Sequence, residues 1–259
     1  MSKIFFEKYQ GTGNDFIMID NREGQFKNQY RSQIKHFCDR KFGIGSDGLI
    51  LIENHPEYDF EMKYFNPDGT QSLCGNGSRC AVMYSQSLNI INDKTTFFTI
   101  EGPLYAEIVD QIVSIKMPEV SGYSNFNEDI FIDTGSPHYV CFVHDIDKVD
   151  VFNVGKDIRN LEKFSPAGTN VNFVQKIEEN QIFVRTYERG VENETLSCGT
   201  GVTASALAVG LKNNQKHIYI KTRGGELQVK FEPDGLGGFT NIYLIGPAKK
   251  VFNGWIAVE

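Results

Sequence analysis

Two of the five cysteines sit in the same local pattern. Cys74-Gly75-Asn76-Gly77 and Cys198-Gly199-Thr200-Gly201 both read Cys-Gly-x-Gly, and each leads into a segment of helical character. A glycine-flanked turn feeding a helix exposes backbone N–H groups at the positive end of the helix dipole. Such an end binds a carboxylate and lowers the pKa of a thiol placed there. Gly75, Asn76, Gly199 and Thr200 are therefore expected to form a carboxylate nest, with Cys74 and Cys198 available as thiolates near neutral pH. One such cysteine suggests a nucleophile; two in matched settings suggest a two-base proton transfer. A thiolate removes a proton from one face of a carbon, and a thiol on the opposite face returns another, inverting the centre. The paired helix ends would stabilise negative charge developing on a substrate carboxylate.

Other chemistries find less support. Cys38, Cys80 and Cys141 lack glycine-rich surroundings, and Cys80, six residues beyond Cys74 on the same expected helix, points to another face and into the core. An odd cysteine count in a chain of 259 residues argues against a disulfide scaffold. Zinc favours Cys-x-x-Cys or clustered His and Cys, whereas His36, His55, His138, His144 and His217 are scattered, so no metal is expected. No lysine has a context that marks a pyridoxal Schiff base. Gly43-x-Gly45 lacks the third glycine of a dinucleotide fingerprint. No cofactor is expected.

The cysteine turns belong to an internal repeat. Their offset is 198 − 74 = 124, and other landmarks keep nearly the same spacing. Gly13-Asn14 parallels Gly135-Ser136, Asp47 parallels Asn170, Asn66 parallels Glu188, and Gly102 parallels Gly225. The chain reads as two copies of one unit, 1–118 and 119–247, with a C-terminal tail, 248–259, expected to pack on the first. Short alternating or apolar strands precede each cysteine turn, a helix follows it (78–88 and 202–211), and further strands close the unit. Another helix is expected over 31–40. The fold class is α+β: two pseudo-symmetric domains, each a strand-rich, barrel-like sheet around a central helix, with the active site in the cleft between them. The order is not β-α-β-α, which disfavours a doubly wound sheet.

A formal net charge of −7 does not favour a nucleic-acid partner, since phosphate wants a basic face. No apolar run approaches the roughly 18 residues that suggest a membrane-spanning helix. The apolar stretch near the N-terminus is broken by Glu7 and Lys8, so it lacks signal-peptide character. The expected location is the cytoplasm and the expected partner a small amino-acid substrate; a homodimer is left open.

Beyond the cysteine turns, three motifs stand out: Gly11-Thr12-Gly13-Asn14-Asp15-Phe16, Phe65-Asn66-Pro67-Asp68-Gly69 ahead of the first cysteine, and Tyr187-Glu188-Arg189-Gly190 ahead of the second. With them the sequence resembles the diaminopimelate epimerase family across nearly its full length. The resemblance implies epimerisation of LL-2,6-diaminopimelate to the meso isomer, without pyridoxal phosphate or metal, in the supply of lysine and peptidoglycan precursors. It implies Cys74 and Cys198 as the acid/base pair. It also implies Asn14, Asn66, Asn170, Glu188 and Arg189 as substrate ligands, and Gly75-Asn76 and Gly199-Thr200 as the nest for the carboxylate at the reacting centre. Arg189 can grip a distal carboxylate bidentately, and Glu188 can pair with the distal ammonium. The chain departs from the commoner family pattern at Ser136, where Asn is usual, at Gly48, where some members have Gln, and in a shorter stretch between Gly69 and Cys74. Cys-Gly-Thr-Gly alone also fits proline racemase, and a duplicated ligand-binding protein without catalysis is the alternative from another class.

Overall fold

In the computed structural model, which describes residues 2–258, alternation sets the first strand: Ile4, Phe6 and Lys8 point inward while Phe5 and Glu7 are partly exposed. This strand, β1 (Ser2–Gly11), pairs antiparallel with β2 (Asn14–Asp20). The two linking residues, Thr12 and Gly13, both have positive φ, 50° and 91°. That is the backbone a two-residue hairpin needs to match strand twist, and it is unusual for a threonine.

The connection to β3 (Gly48–Glu53) holds a 3-10 turn, Asn28–Gln33, and a short helix, α1 (Ile34–Cys38). The helix expected over 31–40 is thus shorter and begins as 3-10. It stops because the Asp39 carboxylate accepts the N–H groups of Lys41 and Phe42, at 2.7 and 2.8 Å, turning the backbone away. β3 runs parallel to β2 and antiparallel to β4 (Glu61–Phe65). The central helix α2 (Gly75–Ser87) follows, then β5 (Lys94–Thr99), parallel to β4, and β6 (Gly102–Val109) and β7 (Ile112–Lys116), each antiparallel to its predecessor.

The chain divides into two compact units, Met1–Ile115 with Gly246–Glu259, and Lys116–Ile245. In the second, β8 (Tyr123–Phe126) and β9 (Asp129–Asp133) form a hairpin, and β9 lies antiparallel to β10 (Pro137–Phe142). A helix that the sequence reading did not anticipate, α3 (Val151–Arg159), starts where the Asp150 side chain accepts from Asn153 N at 3.1 Å. Next come β11 (Asn170–Glu178), β12 (Gln181–Glu188), β13 (Asn193–Thr195), α4 (Gly199–Asn213), β14 (His217–Thr222), β15 (Gly225–Pro233) and β16 (Phe239–Pro247). The last strand, β17 (Lys249–Val258), pairs antiparallel with β1, so the tail completes the first unit's sheet.

The repeat is exact in hydrogen-bond register. Phe16 opposes Gly48 between β2 and β3, and His138 opposes Asn170 between β10 and β11, so 138 − 16 = 170 − 48 = 122. Leu49 opposes Phe65 and Val171 opposes Tyr187, again 122 apart. The counterpart of Asn170 is therefore Gly48, one residue from the Asp47 that sequence alignment alone suggests. Each unit has the strand-rich α+β character expected, with one buried helix. α2 packs on β1, β2, β3, β4 and β17, and α4 on β9, β10, β11, β12, β14 and β15. In α4, Gly199 and every residue from Gly201 to Gly210 are buried, as suits a helix surrounded by protein. At Gly210 a Cβ would lie 2.3 Å from Phe231 Cζ, so only glycine fits. Among the described residues no helix is long and apolar enough to cross a membrane.

Candidate active site

Both central helices begin three residues earlier than the sequence suggested, at Gly75 and Gly199, which makes Cys74 and Cys198 their N-caps. Each cysteine is extended (φ −131°, ψ 113° and φ −116°, ψ 115°), and each carbonyl accepts the first helical N–H, from Ser78 at 2.8 Å and Val202 at 2.9 Å. The glycine turns are thus the first turns of the helices. Their low helix propensity is outweighed by space: a Cβ at Gly201 would lie 2.4 Å from Asn172 Oδ1, and one at Gly77 3.1 Å from Ile50 Cδ1. By position, the N–H groups of Gly75, Asn76, Gly199 and Thr200 have no carbonyl one turn earlier to bond.

The thiol settings differ. Half-buried Cys74 Sγ accepts from Gly77 N at 3.4 Å. Cys198 Sγ, in a residue 7% exposed, lies 3.5 Å from the Thr200 hydroxyl. His138, fully buried, touches the same hydroxyl through Nε2 at 2.9 Å, while its Nδ1 meets Asn172 Nδ2 at 3.1 Å. Asn172 Oδ1 accepts from Thr186 Oγ1 at 2.9 Å, so its NH2 faces the imidazole and Nδ1 must accept. Burial, with Arg189 nearby, holds the His138 pKa at about 3, so the ring is neutral and carries its proton on Nε2. Nε2–H donates to Thr200, leaving that hydroxyl's hydrogen free to point at Cys198 Sγ.

Around Cys74, Asn76 Nδ2 donates to Asn14 Oδ1 at 2.6 Å, and Asn14 Nδ2 donates to Asp47 Oδ2 at 2.9 Å. Asp47 pairs with Arg40 at 2.8 Å. Arg40 also grips Asp15, as does Lys8 at 2.8 Å. Burial pushes the Asp15 carboxyl up, but the hydrogen bonds from Arg40 and Lys8 outweigh it and hold the pKa at about 2. This charged girdle fixes the Asn14 amide. Asn66 is bound into its own loop, donating to Thr70 Oγ1 at 3.1 Å and Ser72 Oγ at 3.2 Å.

In the second unit, Asn170, Ser136 and Arg189 are joined by hydrogen bonds. Asn170 Nδ2 donates to Ser136 Oγ at 2.8 Å and to Pro137 O at 3.0 Å, and its Oδ1 accepts from Arg189 N at 2.8 Å. Asn170 thereby orients both Ser136 and the backbone of Arg189. The half-buried Arg189 side chain reaches Ala167 O at 3.4 Å, and Glu188 precedes it at the end of β12.

Sequence reasoning missed Asn172 as a support for His138; it stands between Val171 and Phe173 in the buried first five residues of β11, where Asn170 is polar too. It also missed Arg79. This side chain is fully buried on α2 and donates through Nη2 to Thr12 Oγ1 at 2.9 Å, clamping the unusual hairpin turn. Thr12 Oγ1 in turn lies 3.5 Å from Asn76 Oδ1. The second unit's counterpart, Thr134, donates to the Thr200 carbonyl at 3.0 Å, so in both units a hairpin threonine steadies the residue two after the cysteine.

Residues 6–121 and 130–251 match the family described as Diaminopimelate epimerase. A protein of that name from Flavobacterium psychrophilum is 50% identical over 249 residues, 95% of this chain and 97% of its own. Another, from Aquifex aeolicus, is 41% identical over 277 residues, 98% of each chain. Among solved structures, a PhzF-family phenazine biosynthesis protein of Bacillus anthracis superposes with a TM-score of 0.78 at 14% identity, covering 100% of both chains. A probable proline racemase of Agrobacterium radiobacter gives 0.69 at 13% identity, covering 99% and 93%. At such identities these two share the fold alone.

Proposed function

The chain belongs to the diaminopimelate epimerase family, and we propose that Cys74 and Cys198 are the acid/base pair with which it epimerises diaminopimelate. It is an isomerase of lysine biosynthesis that interconverts the LL and meso forms of this substrate. The observation carrying the cysteine assignment is that both cysteines are the N-cap residues of helices standing at equivalent places in the repeat.

In the forward step a thiolate takes the α-proton: the Cα–H bond breaks and an S–H bond forms. The electron pair left behind delocalises into the α-carboxylate. The first-turn N–H groups at Gly75, Asn76, Gly199 and Thr200 suit that carboxylate, whose charge grows as the proton leaves. The other thiol then gives its proton to the opposite face, so its S–H bond breaks as the new Cα–H bond forms. The two bases are alike because the reaction is nearly symmetric, and a duplicated unit supplies that likeness.

Arg189 and Glu188 suit the distal carboxylate and ammonium of a substrate with two amino-acid ends, with Ser136 held beside them by Asn170. Asn14 and Asn66 complete the proposed ligand set from the first unit. A cytoplasmic setting and a homodimer belong to the same proposal.

The test is isotope wash-in. Incubated in heavy water with diaminopimelate, the protein is expected to place deuterium at one α-carbon as the isomers interconvert. Absence of exchange would remove the catalytic reading, and equal exchange on proline would remove the substrate assignment.

A further inference from the structure

The turn that carries Glu188 and Arg189 is fastened by one carboxylate. Glu192 closes the turn through its backbone, its N–H donating to Glu188 O at 2.8 Å. Its side chain then gathers three residues. Oε1 accepts from Gly190 N at 3.0 Å and from Arg159 Nε and Nη2 at 3.1 and 2.8 Å, and Oε2 accepts from the Tyr187 hydroxyl at 3.2 Å. Glu192 does this at φ 57°, a left-handed backbone uncommon for a residue with a side chain. An ion pair whose side chains are 21% and 44% exposed would contribute little if it stood alone. This one does not: Tyr187 is buried in β12, and the bonded backbone N–H belongs to the residue next to Arg189.

Arg159 reaches the other support of Arg189 as well. It ends α3, the helix that abuts β12 at Gly155, where a Cβ would lie 2.5 Å from Tyr187 Cβ. Its guanidinium covers Gly168, where a Cβ would lie 2.6 Å from Arg159 Nη1 and φ is 71°. The preceding residue, Ala167, supplies the carbonyl that Arg189 Nη1 contacts at 3.4 Å. Arg159 therefore touches the turn that carries the Arg189 backbone, through Glu192, and the segment that receives its side chain, through Gly168. The repeat register of 122 places Phe37 (159 − 122) and Thr70 (192 − 122) at the matching positions of the first unit. Phe37 is buried in an apolar cluster, and Thr70 bonds within its own loop, to Asn66 and Asp68. The helix brace thus accompanies the loop that carries the charged pair.

We propose that the Arg159–Glu192 pair is the positioning device for the distal end of the substrate: it sets Arg189, and with it Glu188, where a second carboxylate and ammonium are to be met. Arg159 and Glu192 act through Arg189 and are positioning residues. This rests on Arg189 and Glu188 being the distal ligands. Helix α3 then has a functional task beyond packing, since it delivers Arg159 to the turn.

The experiment measures steady-state epimerisation of diaminopimelate by the full chain, with a thermal melt of each protein. The variants are Glu192→Ala, Arg159→Met, Arg189→Met, and Glu192→Ala combined with Arg189→Met. A misplacement of about an ångström costs up to roughly a hundredfold, so Glu192→Ala and Arg159→Met are each expected to lower kcat/KM by about tenfold or more. The loss should divide between KM and kcat as it does in Arg189→Met. In the Arg189→Met background, Glu192→Ala is expected to cost less than about twofold, because residues that act through one another do not add. Limited trypsin digestion of the ligand-free chain needs no turnover: cleavage after Arg189 is expected to quicken by about tenfold in Glu192→Ala as the turn loosens, with cleavage elsewhere unchanged. Arg159→Met, which alters a partly exposed side chain, gives the same readings if Glu192→Ala does not fold. Wild-type kinetics in Glu192→Ala overturns the proposal. So does a fully additive loss in the double variant, the mark of general loosening, or unchanged cleavage after Arg189. Failure of the distal-end reading would appear instead as wild-type kinetics in Arg189→Met, with cleavage after Arg189 still governed by Glu192.

Discussion

The His138 imidazole donates through Nε2–H to the Thr200 hydroxyl at 2.9 Å, and its Nδ1 accepts from Asn172 Nδ2 at 3.1 Å, a bond that holds only while the ring is neutral. The folded pKa of about 3 lies below the ordinary value of 6.5, so between these limits the unfolded chain binds a proton that the folded chain does not. Stability from this site is fully present above about pH 6.5 and is lost as pH falls toward 3. One proton corresponds to a slope of at most roughly 1.4 kcal/mol per pH unit. Urea unfolding of wild type and His138→Gln at pH 7, 6 and 5 checks this: the variant's stability should fall less steeply over that range. Parallel slopes would mean that His138 is not buried in its neutral form.

The glycines after the cysteines should not be equally replaceable. In Gly201→Ala the new Cβ falls 2.4 Å from Asn172 Oδ1, which already accepts from Thr186. The amide must move and the His138 network must open, costing about 2–3 kcal/mol. In Gly77→Ala the Cβ meets the Ile50 Cδ1 methyl at 3.1 Å, which can rotate away, and alanine favours the helix by up to about 1 kcal/mol. Thermal melts should show a clear drop for Gly201→Ala and little change for Gly77→Ala; equal drops would contradict the packing described.

Much of this was legible in the sequence because the repeat doubles every signal. The glycine turns mark the helix starts, and alternation marks the strands. Where the reading failed, a side chain bonding to nearby backbone or a tertiary contact decided. The 31–40 helix is cut short by the Asp39 side chain bonding to nearby backbone, a competition that propensity does not register. Helix α3 lay unrecognised behind a lone Asp150 cap, and its Gly155 is set by the approach of Tyr187, 32 residues away in sequence. At the site, the cysteines could be read from type and spacing, and the Glu188-Arg189 pair was expected only through the family resemblance. Arg79 and Asn172 could not, since burial converts an ordinary polar residue into a support only once the fold surrounds it.

Substrate choice is the next test. Arg189→Lys keeps the charge and loses the planar fork that fits a carboxylate. Steady-state kinetics on diaminopimelate should show kcat/KM lower by about 2 kcal/mol or more, roughly 30-fold. Because binding energy at a remote end helps to close a site around the reacting carbon, kcat should fall as well as KM rise. Wild-type kinetics in this variant would place the distal carboxylate elsewhere.

The central claim is that two thiols, one from each repeat, carry the proton. Epimerisation of diaminopimelate by Cys74→Ala and Cys198→Ala, measured beside wild type, Cys38→Ala and Cys141→Ala, tests it most directly. Each of the first two should lose at least about a hundredfold in kcat, as expected when a general acid or base is removed, while the last two retain turnover. Wild-type turnover in either Cys74→Ala or Cys198→Ala would contradict the two-base account.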